Sequence, residues 1–193
     1  GLDDLLAQAG WTPQDGVMRD AAGAPLAFTI LLAQDSSENK AIADLYLAAL
    51  KRLGIEVRIE TTDSAQYTAR TTDFDFEMTT YRVALSLSPG NEQRFYWGSA
   101  SAAQPGSRNL MGVASPAVDA TIDAMLSATS EDGFLTAVRA LDRVLTAGRY
   151  VIPFWQYTET HIAHVRQMRF PDTLPVYGDG PNFMPEVWWI DPS

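Results

Sequence analysis

The chain has 193 residues, 46% of them hydrophobic and 20% charged, enough apolar material for one domain or slightly more. A net charge of −10 opposes phosphate backbones and anionic membrane surfaces, so no nucleic-acid partner is expected. Cysteine is absent, which removes thiol nucleophiles, cysteine metal sites and disulfides.

No apolar run approaches the ~20 residues of a membrane-spanning helix, and no basic-then-apolar leader is present. Gly1 to Leu6 enters directly into a helical pattern, as a piece taken from within a longer chain would. Leu2, Leu5, Leu6 and Ala9 recur at helical spacing and Gly10 stops the helix. Thr12 to Gly16 and Ala22-Gly23 are turn signals. Pro25 to Leu32 is an apolar run of strand length, dense enough to be buried on both faces.

Ser36 or Ser37 caps the next helix, with Ile42, Leu45, Tyr46, Ala49 and Leu53 on one side and Gly54 as its end. Ile55, Val57 and Ile59 alternate with charged residues as a half-buried strand does. Asp63 caps a shorter helix to about Arg70, and Phe74, Phe76 and Met78 alternate as a third strand. Strand–helix–strand–helix–strand implies an α/β layer architecture, a mixed and mainly parallel sheet flanked by helices. Ligands in such sheets sit beyond the carboxyl ends of the strands.

After Tyr81 comes a long segment, Arg82 to Ala114, with little periodicity. Its Arg94, Phe95, Tyr96 and Trp97 argue for an ordered, ligand-facing loop with a short helix near Asn91–Trp97. Ser115-Pro116 starts a helix with the stripe Val118, Ile122, Met125 and Leu126. Ser130 opens another, with Phe134, Val138, Leu141 and Leu145 inward and Gly148 at its close. Tyr150–Trp155 and His161–Val165 read as strands. The tail from Pro171, with Trp188-Trp189, is apolar enough to need a surface to pack on.

Several segments together resemble a known family. They are Leu5 to Trp11, Leu53-Gly54-Ile55-Glu56-Val57, Phe74 to Met78, Asn109 to Asp119, and Leu141 to Leu145 leading to Ile152-Pro153-Phe154-Trp155. These stretches are similar to the C-terminal half of family 5 extracellular solute-binding proteins, the peptide- and nickel-binding components of ABC importers. Ser88 to Gln93 with Trp97 to Ala100 most resembles the YejA-type branch. The resemblance implies one lobe, residues 1–193, of a type II periplasmic-binding-protein fold. In it 171–193 forms a tail returning toward an N-terminal lobe. It further implies a periplasmic protein that captures oligopeptides or peptide-like solutes by hinge closure and hands them to an inner-membrane permease, without catalysis or cofactor. A secreted hydrolase and a stand-alone interaction domain are the competing classes.

A peptide cleft needs hydrogen-bonding groups and roomy or aromatic walls. Tyr81, Arg82, Ser86, Ser88 and Asn91 follow the third strand and suit that role. Arg82 fits a carboxylate or phosphate-like group through its planar fork, with an internal ion pair as the equal alternative. Arg108 and Asn109 lie where the loop returns, and for Asn109 holding a turn is the slightly favoured role. Trp97, Tyr96 and Phe95 suit either a pocket wall or the core, and Trp155 and Tyr157 share that ambiguity. Relatives that hold a peptide's ammonium use an aspartate here. Tyr81 to Gln93 contains none, and Glu92 is its only acid. His161 and His164, if on a strand, point to opposite faces and suit no metal. Asp119 and Asp123 read as a solvated helix face rather than a catalytic pair.

Overall fold

Turn and cap chemistry sets most element boundaries. The computed structural model describes residues 1–83, 88–154, 161–173 and 187–191. Two units result, Gly1–Val151 and Ile152–Ser193. In the first, α1 spans Leu2–Gln8, and Gly10 leaves it at φ +89°. β1 (Thr12–Gln14) and β2 (Val17–Arg19) form an antiparallel hairpin. Its two-residue loop, Asp15-Gly16, has φ +49° and +80°, the geometry that matches strand twist in a hairpin.

β3 (Ala27–Ala33) follows, then α2 (Ser37–Lys51), β4 (Glu56–Thr62), α3 (Ser64–Thr72) and β5 (Met78–Thr79). The three strands are parallel in the order β4-β3-β5, with Ile30 opposite both Ile59 and Met78. The expected parallel α/β layer is therefore present. Leu31 and Leu32 in the central strand are almost wholly buried, as its apolar density implied. Ser36 Oγ accepts from the Asn39 N–H at 3.4 Å, and Asp63 Oδ1 from Ala65 and Gln66 at 3.0 and 2.9 Å.

Two expectations in this region change. Leu45 is 75% exposed, and Ala43 instead packs on Ile30 and Leu32, because the apolar face of α2 is centred one residue from the spacing read in sequence. The third strand is shorter than Phe74–Met78. Asp75 N–H bonds back to the Arg70 carbonyl at 2.8 Å and Phe74 turns at φ +57°, so the exit from α3 consumes the first residues of the run.

Past residues 84–87, α4 spans Glu92–Trp97, within the region where a short helix is expected, and a 3-10 turn covers Ser99–Ser101. α5 (Pro116–Leu126) and α6 (Glu131–Gly148) pack together. Their core is Val113, Val118, Ile122, Met125, Ala137 and Leu141, with Trp97 and Phe134 against it. Ser130 Oγ caps α6 through Gly133 N–H at 3.2 Å, whereas Ser115 makes no side-chain cap bond. Gly148 is the last helical residue and Arg149 takes the left-handed turn at φ +53°. A side chain at 148 would strike the Tyr150 ring, so the glycine makes room for that ring rather than supplying the turn.

In the second unit, β6 (Met168–Arg169) pairs antiparallel with β7 (Trp189–Ile190). Phe170 stacks on Trp188 with centroids 4.6 Å apart. The strands expected over 150–155 and 161–165 are not formed in their described residues. Val151, Ile152 and Phe154 are each about half exposed (51%, 52% and 48%). Most of the 171–193 tail, with Trp155 and Tyr157, lies outside the described residues.

Candidate functional site

The parallel sheet presents the carboxyl ends of β3 and β5 side by side, and hydroxyl groups tie them. Thr79 Oγ1 donates to the Leu31 carbonyl at 2.9 Å. The Tyr67 hydroxyl, on α3, lies 2.9 Å from Thr79 Oγ1 and 3.0 Å from the Thr80 carbonyl. The backbone entering Tyr81 and Arg82 is thus fixed. Arg82 Nη2 reaches Glu38 in the first turn of α2 at 3.3 Å, the internal pair that competed with ligand binding in the sequence reading. Both partners are more than half exposed (68% and 53%), so the pair contributes little stability.

On the far side of residues 84–87, Ser88 and Asn91 are exposed. Asn91 sits at the start of α4 without a side-chain cap bond. Glu92 Oε1 accepts from the Gly90 N–H at 2.7 Å and from Gln93 Nε2 at 3.2 Å, which ties the chain entering α4 to its first residue. The Gly90 amide holds the Glu92 carboxyl below the usual range, so it is ionised at neutral pH.

The loop from Gly98 to Val113 is organised around Asn109, which is wholly buried. Its Nδ2 donates to the carbonyls of Gly98 at 3.1 Å and Val113 at 2.8 Å, and its Oδ1 accepts from Val113 N–H at 2.8 Å. Ser107 Oγ donates to the Ser101 carbonyl at 2.7 Å, and Gly106 N–H bonds the Thr72 carbonyl at 2.9 Å. Asp119 Oδ1 accepts from Ser99 N–H at 2.9 Å, and Asp123 pairs with Arg94 at 2.7 Å. These two aspartates, expected as a solvated face, bracket the loop against α5.

Between two such fixed neighbours stands Arg108. Its Nη1 donates to the Tyr96 hydroxyl at 2.7 Å, and its Cζ lies 5.6 Å from the centre of that ring. The phenol oxygen favours the charged guanidinium. Tyr81, 48% exposed, is close enough for the Tyr96 and Arg108 charges to act on it. Burial pushes its phenol up, with Tyr96 adding to the effect and Arg108 opposing it, so the hydroxyl keeps its proton. Glu92, Phe95, Tyr96, Gly106, Ser107 and Arg108 line a hollow of about 280 Å³.

Of the residues expected at a ligand, Arg108 lines this hollow, Tyr81 is near enough to feel the Arg108 charge, and Arg82, Ser88 and Asn91 are exposed. Ser86 lies outside the described residues. Two candidates take the structural one of the roles left open for them: Asn109 faces the interior with its amide consumed by backbone, the favoured turn-holding role, and Trp97 packs on the α5–α6 core, so neither is a ligand contact. Tyr96 was ambiguous in sequence and proves to be the buried partner of Arg108. No local spacing rule links positions twelve apart across an irregular loop. The strand premise for His161 and His164 also fails. His164 instead stands edge-on to Phe170 and Trp188 at 5.5 and 5.6 Å. Among the described residues no cluster of three potential metal ligands occurs.

The sequence profile described as bacterial extracellular solute-binding proteins, family 5, middle region, matches residues 3–105. The chain belongs to this family. A putative binding protein of Brucella melitensis is 44% identical over 186 residues, 96% of this chain and 29% of its own length. A probable peptide-binding protein, YejA, of Agrobacterium fabrum is 42% identical over 96% of this chain and 30% of its own length. The chain therefore spans under a third of the curated relatives it matches. Among solved structures, AppA, the oligopeptide-binding protein of Bacillus subtilis in complex with a nonapeptide, superposes with a TM-score of 0.72 at 17% identity. That match covers 97% of this chain and 36% of AppA. The fold of this family 5 chain is accordingly that of a type II periplasmic binding protein.

Proposed function

We propose that this chain is the C-terminal lobe of the substrate-binding component of an ABC importer. The whole protein captures oligopeptides or peptide-like solutes in the periplasm. The second lobe closes over the bound solute, and the closed form is what the inner-membrane permease recognises. The observation that carries this reading is the family 5 match over residues 3–105. The site supports it: Tyr81 follows the carboxyl end of β5, and the bonded Tyr96 phenol and Arg108 guanidinium stand by a hollow beside exposed Phe95, at 59%. Fixed polar groups next to an apolar wall suit ligands that share a backbone and differ in side chains.

The test is mass spectrometry of small molecules carried through purification by the full-length protein, followed by calorimetry with the peptides recovered. Short peptides released unchanged and rebinding at one per protein are the expected outcome. Recovery of cleaved peptide would replace this reading with a hydrolase. Absence of any bound or rebinding peptide would leave the peptide class without support.

A further inference from the structure

We infer that α1 is a docking helix: its face of Leu2, Leu5, Leu6 and Ala9 seats on an apolar surface supplied by the part of the full-length protein outside residues 1–193. This inference rests on the reading of the chain as one lobe of a longer protein, and it is independent of what that protein binds.

Helical spacing brings Leu2, Leu5, Leu6 and Ala9 to one side of α1, within about 100° of arc, and leaves Asp3, Asp4, Ala7 and Gln8 on the rest. The sequence thus builds an amphipathic helix, yet no residue of α1 is buried. Leu2 and Leu5 are 55% and 53% exposed, Ala9 is exposed as well, and Leu6 is half-buried. The element α1 packs on is β1, a strand whose three residues are themselves exposed. Local bonds close the helix: Gly10 N–H donates to the Ala7 carbonyl at 3.0 Å and Trp11 N–H to the Leu6 carbonyl at 2.9 Å. Such bonds finish a helix without sustaining it. In water, isolated helices shorter than about 12 residues are marginal, and packing of the apolar face supplies the missing stability. The seven residues of α1 therefore need a surface.

Size decides which surface. Seven residues make about 10 Å of helix. One face of that length offers far less than the ~600 Å² per partner buried in a small specific interface between separate molecules. Neither a second copy nor a separate partner protein is held by so little. A surface on the same polypeptide has no such threshold, because the tether supplies a high effective concentration and most of the association entropy is already lost. The protein has the chain to provide one. The matching profile describes a middle region and begins at residue 3, inside α1. The Brucella melitensis relative is matched over only 29% of its length, so more than two thirds of it lies beyond the match.

The test is hydrogen exchange read by mass spectrometry on the full-length protein, for wild type, Leu5→Asp, the milder Leu5→Ala, and Ala7→Lys on the opposite face. In wild type the α1 amides are expected to exchange at least about 100-fold more slowly than unstructured chain, whereas an undocked helix of this length reaches less than about 10-fold. Leu5→Asp removes most of that protection, Leu5→Ala removes part, and Ala7→Lys leaves it in place. In the Leu5 variants a segment outside residues 1–193 gains exchange together with α1, which locates the surface, while β3 stays protected and shows the lobe still folded. Wild-type α1 exchanging as unstructured chain overturns the inference, and so does protection unaltered in both Leu5 variants. A gain confined to residues 152–193 assigns the surface to this chain's own tail, and protection that grows with protein concentration assigns it to a second copy; either result overturns it. Exchange rising in β3 with no gain outside residues 1–193 makes α1 part of this lobe's own core, which overturns it too. Peptide capture in the experiment above reads the binding function separately, so a failure here leaves that reading standing.

Discussion

Replacing Asn109 by alanine isolates the contribution of the amide at the centre of the Gly98–Val113 loop. The substitution strands two buried backbone groups, the Val113 N–H and the Val113 carbonyl, each bonded to the side chain at 2.8 Å; the Gly98 carbonyl, 3.1 Å from the amide, keeps the Ser101 hydroxyl and N–H as donors. Val113 is 1% exposed, so bulk water cannot replace the lost partners without opening the loop. A stranded buried group costs about 1–3 kcal/mol. Carbonyls keep a second lone pair, and a water entering the vacated volume offsets part of the loss. The expected destabilisation is therefore about 3 kcal/mol, a large share of an ordinary domain's margin. Urea unfolding of the full-length protein, followed through tryptophan fluorescence, reads it as a lower midpoint at unchanged slope. Asn109→Asp is the sharper comparison. It keeps the acceptor for Val113 N–H but sets the other carboxylate oxygen against two carbonyls. At neutral pH it is expected to cost at least as much as alanine, and less in acid, where protonation restores a donor. A loss below about 1 kcal/mol for alanine would refute the reasoning, because an amide with three buried bonds cannot be that dispensable.

Three further outcomes are expected. Gly54→Ala should cost at least about 2 kcal/mol. Position 54 has φ +73°, and a Cβ there would lie 2.6 Å from the Gly16 carbonyl oxygen and 2.9 Å from the Met18 nitrogen, whose N–H bonds the Gly54 carbonyl and joins the β1–β2 hairpin to the α2–β4 turn; thermal unfolding checks this. Asp63→Ala removes the acceptor for two N–H groups of α3 and should cost about 1 kcal/mol in urea unfolding. The Asp119 carboxyl is held below its usual range by the Ser99 hydroxyl first and the Ser99 N–H second. Its folded-state value is depressed, so its stabilisation is present above the ordinary carboxylate range and lost as pH falls through the folded value. Asp119→Asn should accordingly flatten the acid limb of the stability-against-pH curve, and an unchanged limb would assign the acid loss elsewhere.

The sequence carried the fold where structure is set by neighbours along the chain. Ser36, Asp63 and Ser130 are caps because their oxygens reach N–H groups two or three residues on, and Asp15-Gly16 is a turn because both residues accept positive φ. The α5–α6 stripe was legible for the same reason: helical spacing places Val118, Ile122 and Met125 together whatever they pack on. Legibility ended where a partner far along the chain decides. The apolar run at Val151 and Ile152 has the composition of a strand, yet strand formation depends on a neighbour that composition does not name. At the candidate site, Tyr81 and Arg108 were found by residue type and position in the loop. Tyr96 as their companion, and the inward turn of Asn109, depend on how an aperiodic loop closes on itself. Asp119 and Asp123 looked like a solvated face because periodicity marks which side of a helix is polar, and not which backbone waits opposite.

The division of labour in that loop has an evolutionary consequence. Asn109, Ser107 and Gly106 keep the backbone in place through bonds that do not involve the side chain at 108. A substitution at position 108 therefore changes what the hollow presents without loosening the backbone that presents it. Ligand preference can drift among descendants one residue at a time, while Asn109, whose loss would unmake the loop, stays under strong selection to remain.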